Sequence, residues 1–453
     1  MMSNYMTVTT SDENITVDVK DTLTVNQNKV LTEAEKSTDA TFSGNSDNTI
    51  PTEKAVKTYM DEELNKILSV IENIRVYDGD YTIKNQYDID RISWYTKITG
   101  NLYIKEFSLI NLDGLGSLTT IEGSVYIQYN TLLTNLGGLN NVTSIGGDLY
   151  IRNNNALTNL DGLNNLTSIG GCLTIESNIA LIKVDGFENL TSIEEYFLIR
   201  SNDALTSIDG FSNLTSIGES FNFDNNIALT NITGISNLAT IGKALYIRNN
   251  DALTIINGFD NLTSIGEGLN IDGNISLTNI SGLNNLTTIG DALYIRNNDA
   301  LTIINGFDNL TFIGGGLNID NNIALTNIDG LSSLITIGGS VYLRNNDVLT
   351  IIDGLSNLTS IGDCLNIDSN TALTNIDGLI SLTYIKNYLF IRSNDSLTNL
   401  DGLSNLTTIE GNQKFIDQYY IYFDSNDTLS NTIEQAFIDK FQLRSYLDGT
   451  SYY

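Results

Sequence analysis

Histidine is absent from this 453-residue chain, and it holds only one proline, one tryptophan and two cysteines. Without histidine the Ser-His and Cys-His nucleophile arrangements and most zinc sites lack their base or ligand, so we read the chain as a non-enzyme with no cofactor and no metal. Positive charge is also scarce: 23 Lys and Arg against 54 Asp and Glu leave a net charge of -31. That balance keeps a long protein soluble and repels phosphate backbones and anionic lipid, which argues against nucleic acid as a partner. No apolar run is long enough to span a bilayer, and the start Met1-Met2-Ser3-Asn4-Tyr5-Met6 has neither a basic cluster nor an apolar stretch. The expectation is a protein made in the cytoplasm, without membrane insertion or a standard secretion signal.

What the chain does have is a period. From Ser124 to Gly411 a unit of 24 residues runs twelve times without insertion or deletion, with Asn at its seventh place (Asn130 to Asn394), Leu at its tenth (Leu133 to Leu397) and Gly at its fifteenth (Gly138 to Gly402). A unit this short cannot bury its own apolar face, so successive units must stack and share one elongated core. Places two and four, as in Leu149 and Ile151 or Leu245 and Ile247, alternate with polar or aromatic residues at period two, the pattern of a short strand with one face buried. Apolar residues then recur at every third place, as in Leu157, Leu160, Leu163, Leu166 and Ile169, with corners at Asp161-Gly162 and Gly170-Gly171. That describes a chain turning repeatedly around a core: mainly β, a parallel β-solenoid of 24-residue rungs, about 60 Å long over residues 77–411 at about 4.8 Å per rung. Cys172 and Cys364 both open their units and lie eight units apart, roughly 38 Å by the same spacing, so they are expected as free thiols.

The segments Asp148-Leu149-Tyr150-Ile151-Arg152-Asn153-Asn154, Ala156-Leu157-Thr158 and Leu166-Thr167-Ser168-Ile169-Gly170-Gly171 resemble leucine-rich repeats of the receptor L-domain kind. Gly79 to Ile83 and Ile98 to Ile104 look like the opening rungs of such a repeat. The resemblance implies a right-handed β-solenoid and a binding scaffold, and leaves the ligand open.

Three repeated residues invite functional readings. The inward Asn column is expected to hydrogen-bond backbone at the bend of each rung. The Asn-Leu-Thr strings at Asn165, Asn189, Asn213, Asn261, Asn285, Asn309, Asn357 and Asn405 match a glycosylation acceptor but follow from the repeat itself. The Asp-Gly corners are interrupted by Thr233, Asn257, Ser281 and Asn305, which favours turn chemistry over calcium. The Thr row at place eleven (Thr158, Thr206, Thr230, Thr254) lacks the second flat column that ice recognition would need.

More informative is a 48-residue alternation on the outward places three and five of the strand. Tyr246 and Arg248 are followed by Asn270 and Asp272, Tyr294 and Arg296, Asn318 and Asp320, Tyr342 and Arg344, then Asn366 and Asp368. Stacked strands then set Arg beside Asp, with an aromatic every second rung, or about 10 Å. That alternation serves to avoid stacking like charges, or it presents a recognition face. The candidate ligand residues are Tyr150, Arg152, Tyr246, Arg248, Asp272, Tyr294, Arg296, Asp320, Tyr342, Arg344, Phe390 and Arg392, with a host-surface glycan or protein as the partner. The competing site is the carboxy-terminal tip at Tyr419, Tyr420 and Tyr422.

Residues 1–50 read as short strands or an attachment arm, and 51–76 as a helix with Met60, Leu64, Ile67, Ile71 and Ile74 on one stripe, suited to a coiled coil or to capping the first rung. Residues 46–61, from Ser46 through Pro51-Thr52-Glu53 to Asp61, resemble a segment near the base of bacteriophage tail fibres, which implies a homotrimeric virion appendage contacting other tail proteins. At the other end, residues 412–453 read as a cap. One more rung resumes at Asn426 after an insertion around Tyr419 to Phe423, and a helix from Asn431 plugs the core with Ile433, Phe437 and Phe441. Two readings follow: a tail fibre or receptor-binding protein on a virion, or a cellular leucine-rich-repeat interaction or adhesion protein.

Overall fold

The computed structural model describes residues 75–105, 109–411 and 421–441 with their side chains, together with residue 65 and the backbone of the strands Met6–Ser11, Asn14–Val19, Ser445–Leu447 and Thr450–Tyr452. The chain divides into two units, Met1–Asn73 and Ile74–Tyr453. In the first, Met6–Ser11 and Asn14–Val19 pair antiparallel, with Met6 opposite Val19 and Ser11 opposite Asn14. The expected helix over 51–76 lies outside the described residues.

The second unit is a parallel β-solenoid. Each turn gives a four-residue strand to a long sheet, as in Leu245–Arg248, Leu269–Asp272 and Leu293–Arg296, paired with no shift so that Leu245, Leu269 and Leu293 align. A two-residue strand such as Ser264–Ile265 or Thr288–Ile289 joins a second, fifteen-stranded sheet. The remaining side is closed by short 3-10 turns, for example Asp353–Leu355, Asp377–Leu379 and Asp401–Leu403. Leu253, Ile256, Leu262, Ile265, Leu269 and Ile271 are fully or almost fully buried, so the apolar places of one unit line a single continuous core.

Three polar devices hold the turns in register. The seventh-place Asn is buried and bridges rungs: Asn274 Nδ2 donates to Ile247 O at 2.8 Å, and its Oδ1 accepts from Asn250 N at 3.1 Å. A buried carbonyl and a buried backbone N–H at that bend are thereby paired. Thr254 Oγ1 donates to Thr230 O at 3.3 Å, and the same bond recurs from Thr230 to Thr206, which accounts for the Thr row structurally. The Asn of the Asn-Leu-Thr strings donates Nδ2 backward one turn, as Asn261 does to Ser236 O at 2.8 Å and Asn357 to Ser332 O at 2.7 Å. The nitrogen that would carry a glycan is thus committed to the fold. Glycine at place fifteen answers to close approach: a Cβ on Gly378 would lie 2.0 Å from Ile352 O.

The ends depart from the repeat. The opening rungs Tyr81–Ile83 and Leu102–Ile104 sit where the sequence placed them, and the helix Gln86–Ile92 stands between them. Its Asn85 cap accepts from Asp88 N, and Arg91 lies in the last turn; both are ordinary helix signals that went unread in the sequence. At the far end Ile421–Asp424 pairs with Leu389–Arg392, and Asn426 joins the Asn column 32 residues after Asn394. The insertion expected around Tyr419 to Phe423 therefore falls before Ile421 instead, and Ile421 to Phe423 belong to a regular rung. The helix Asn431–Phe441 buries Phe437, Ile438 and Glu434, and Phe437 packs edge-on to Phe423 at 5.8 Å. Ile433, expected in the plug, is 37% exposed instead. It lies off the face that residues 434, 437, 438 and 441 share at three- and four-residue spacing.

Candidate recognition face

Side chains at places three and five project from the long sheet away from the core, because strand side chains alternate faces. The structure brings the predicted Tyr, Arg and Asp residues together on this one face, as ion pairs rather than an unbroken ladder. From Arg200 onward each Arg of the column reaches back one turn, whereas Arg152 reaches forward: Arg248 binds Asp224 with two hydrogen bonds of 2.9 and 2.6 Å, and Arg344 binds Asp320 with 3.0 and 2.6 Å. Arg296 meets Asp272 at 2.9 Å and Arg392 meets Asp368 at 2.5 Å. Glu176 is shared by Arg152 and Arg200. The hydrogen bonds they donate to Asp224 and Asp320 hold the Arg248 and Arg344 guanidinium groups more firmly protonated than usual.

The same guanidinium groups fold over the tyrosine of their own strand. The Arg-to-ring distances are 4.6 Å at Tyr150, 4.8 Å at Tyr246, 4.9 Å at Tyr294 and 4.7 Å at Tyr342. A sugar stacking on those rings would have to displace an arginine. Between them stand Asn270, Asn318 and Asn366, whose Oδ1 atoms, with that of Asn222, are buried without a hydrogen-bond partner among the described residues. In its central turns the face is therefore a packed lattice of ring, amide and ion pair.

The aromatic column is denser at its two ends than the 48-residue alternation implies. Tyr103, Tyr126 and Tyr150 stack on consecutive rungs, with ring centres 4.9 and 5.1 Å apart and planes 11° and 16° apart. Their faces meet one another, which leaves the ring faces covered, and the Tyr150 hydroxyl donates to Asp148. Phe390 stacks on Tyr422 at 4.6 Å. Of the tip candidates, Tyr422 thus joins the sheet face, while Tyr419 and Tyr420 lie outside the described residues. Sequence reasoning named Tyr150 but missed Tyr103 and Tyr126, because they precede or open the run of exact units; their shared place before an inward Ile was the available signal.

Asp148, Cys172 and Glu195 are the grouping, among the described residues, whose ligand atoms all lie within 4.8 Å of one another. Asp148 accepts from Cys172 N and from the Tyr150 hydroxyl, and the Cys172 thiol donates to Glu195 at 3.0 Å. The groups therefore satisfy one another. Burial, reinforced by the Glu195 carboxylate, pushes the Cys172 thiol up to about 12, and burial beside Asp363 pushes Cys364 up to about 11. Both cysteines are free and buried. Since the thiolate is the nucleophile, alkylation of the native chain at pH 8 is expected to run roughly a hundredfold or more below that of an exposed thiol. Both sites should react once urea unfolds the chain; rapid labelling of the native protein would contradict this account.

Comparison with known proteins agrees with this architecture. The receptor L domain family matches residues 119–185 and 357–438, and the BspA type leucine rich repeat region matches six copies over residues 191–324. The crystal structure of a TLR13–ssRNA13 complex is similar at 15% identity, over 77% of this chain and 74% of that one, with a TM-score of 0.21. A search of curated proteins finds no match. The Ile74–Tyr453 unit is a parallel β-solenoid with leucine-rich-repeat-type turns of about 24 residues, parts of which are similar to receptor L domains.

Proposed function

We propose that the chain is a virion appendage, a tail fibre or receptor-binding protein, whose solenoid presents its outward sheet face to a glycan or protein on a host cell. The observation that carries the recognition half of this reading is the 48-residue period. The backbone-bridging devices and most apolar places of the core repeat every 24 residues, so the change of charge and of aromatic content from one rung to the next is a feature of the outer face. Outward positions alternate over two rungs, namely the Tyr, Arg, Asn and Asp of the strand and the exposed Ile227, Asp251, Ile275 and Asp299 at place eight. One stretch of buried place sixteen does so as well, where Phe259 and Phe307 alternate with Leu283 and Leu331, but there the residues stay apolar. The virion half draws on the tail-fibre resemblance of residues 46–61, and the amphipathic stripe over 51–76 supplies a trimerising coiled coil. A second reading, a cellular leucine-rich-repeat interaction or adhesion protein, draws on the receptor L-domain match.

Light scattering separates the two. The virion reading expects three times the 49.7 kDa chain mass for the full protein and a monomer for a chain beginning at Val76. Monomers in both cases would remove the trimer and most of the fibre argument, and imaging of particles with the protein located in them would decide the rest.

A further inference from the structure

One turn breaks the pattern in a way the fold does not require. The sixth place of each unit holds a left-handed backbone, and it is filled by Asn, Ser or Gly at every turn but one: Asn153, Ser177, Asn249, Gly273, Asn345 and Ser393 are typical. At the first unit it is Tyr129, with φ +61° and 52% of its surface exposed. A bulky residue is disfavoured in that conformation, and a side chain half in solvent does not compensate by packing. Leu132, three residues on, is 51% exposed, and the Tyr103, Tyr126 and Tyr150 stack occupies the same turns.

Charge singles out the same place. Down the outward fifth column the first four rungs carry Lys84, Lys105, Gln128 and Arg152, and the first carboxylate of that column is Glu176. Lys105 lies 4.4 Å from the Tyr103 ring and 5.3 Å from the Tyr126 ring, is exposed, and forms no ion pair among the described residues. Among the described residues, the nearby carboxylates hold hydrogen bonds from neutral donors: Asp80 accepts from Asn101 N, Asp88 from Lys84 N, and Asp148 from Cys172 N and the Tyr150 hydroxyl. In a chain of net charge -31 the fifth column of these rungs is therefore locally cationic beside the aromatic stack, although Glu106 follows Lys105 in the chain.

Granting that the solenoid is a recognition device, we propose that these amino-terminal turns hold an acidic sugar of a surface glycan, with its carboxylate at Lys105 and its ring against Tyr129. Amphipathic aromatic side chains fit a pyranose, which has both apolar C–H faces and hydroxyls. A single carboxylate feels the adjacent lysine at short range, within a screening length of about 8 Å. A polyanion such as single-stranded nucleic acid also meets the repulsion of the whole acidic chain.

The test is titration of the full chain, followed by saturation-transfer NMR, with 3′-sialyllactose and trigalacturonate, using lactose and a ten-nucleotide oligothymidylate as controls. At least one acidic sugar should bind at least tenfold more tightly than lactose. Tyr129→Asn, which installs a residue the same place takes elsewhere, should weaken that binding at least tenfold while the unfolding midpoint stays level or rises. Lys105→Gln should remove the preference for the acidic sugar. Unchanged affinity in Tyr129→Asn, equal binding of lactose, or tighter binding of oligothymidylate would each overturn the proposal. Acidic-sugar binding that is lost in Tyr294→Ser/Tyr342→Ser and kept in Tyr129→Asn would overturn this site and leave the recognition reading standing. Failure of both acidic sugars to bind overturns the inference, and the recognition reading falls with it only if the chain also fails to adsorb to cells.

Discussion

Asn274→Ala is expected to destabilise the solenoid by about 3–5 kcal/mol. The side chain is fully buried and serves two neighbouring turns at once, donating to Ile247 O and accepting from Asn250 N and Asn250 Nδ2. Its removal strands a backbone carbonyl and a backbone N–H away from water, and each such group costs about 1–3 kcal/mol. The local comparison is Asn261→Ala. That residue makes a similar backward hydrogen bond, to Ser236 O, but from an exposed position where water replaces it, so about 0.5–1 kcal/mol is expected. Urea midpoints of the two variants measure the difference, and equal shifts would mean that the inner Asn column is not what holds the bend.

Leu253→Ala should cost about 2–5 kcal/mol as a core truncation. Leu253 is fully buried among residues of its own and adjacent turns, and because rungs share one core, the cavity opens between two units rather than inside one. Its neighbour Thr254 is exposed and donates only a 3.3 Å hydrogen bond to Thr230 O, so Thr254→Ala should fall near 0.5–1 kcal/mol. Comparable midpoints for the pair would place the core on the wrong face of the chain.

The repeat made the fold legible because a 24-residue unit has few ways to bury Leu at places two, ten and thirteen and still return to the same register. Leu149, Leu157 and Leu160 are all buried as that argument requires, and the Asn column forms the ladder expected of it. The shifted final rung was legible for the same reason, since Asn426 and Leu429 restate the unit after the interruption. What escaped lies where the repeat stops constraining the chain. The helix Gln86–Ile92 falls between two recognisable rungs, and Ile433 and Ile438 exchanged places because a single helical turn can present either to the core.

The candidate face was legible in composition but not in its contacts. Alternating Arg and Asp at place five announced ion pairs, yet the sequence does not say that Arg248, Arg296 and Arg344 choose the preceding turn and lie across the ring two residues before them. Those contacts turn the central tyrosines inward to the lattice. The first turns differ: there Tyr129 is exposed, and Lys105 lies over the Tyr103 and Tyr126 rings without an ion pair among the described residues.

The claim that outward residues serve recognition while the core serves only the fold is tested most directly by cell and glycan binding measured beside unfolding midpoints. The protein set is the full chain, Tyr129→Asn, and Tyr294→Ser/Tyr342→Ser. The account predicts that the full chain binds and that at least one outward variant loses binding at an undiminished midpoint. Binding that survives in every outward variant, or that is lost only in step with stability, would contradict it.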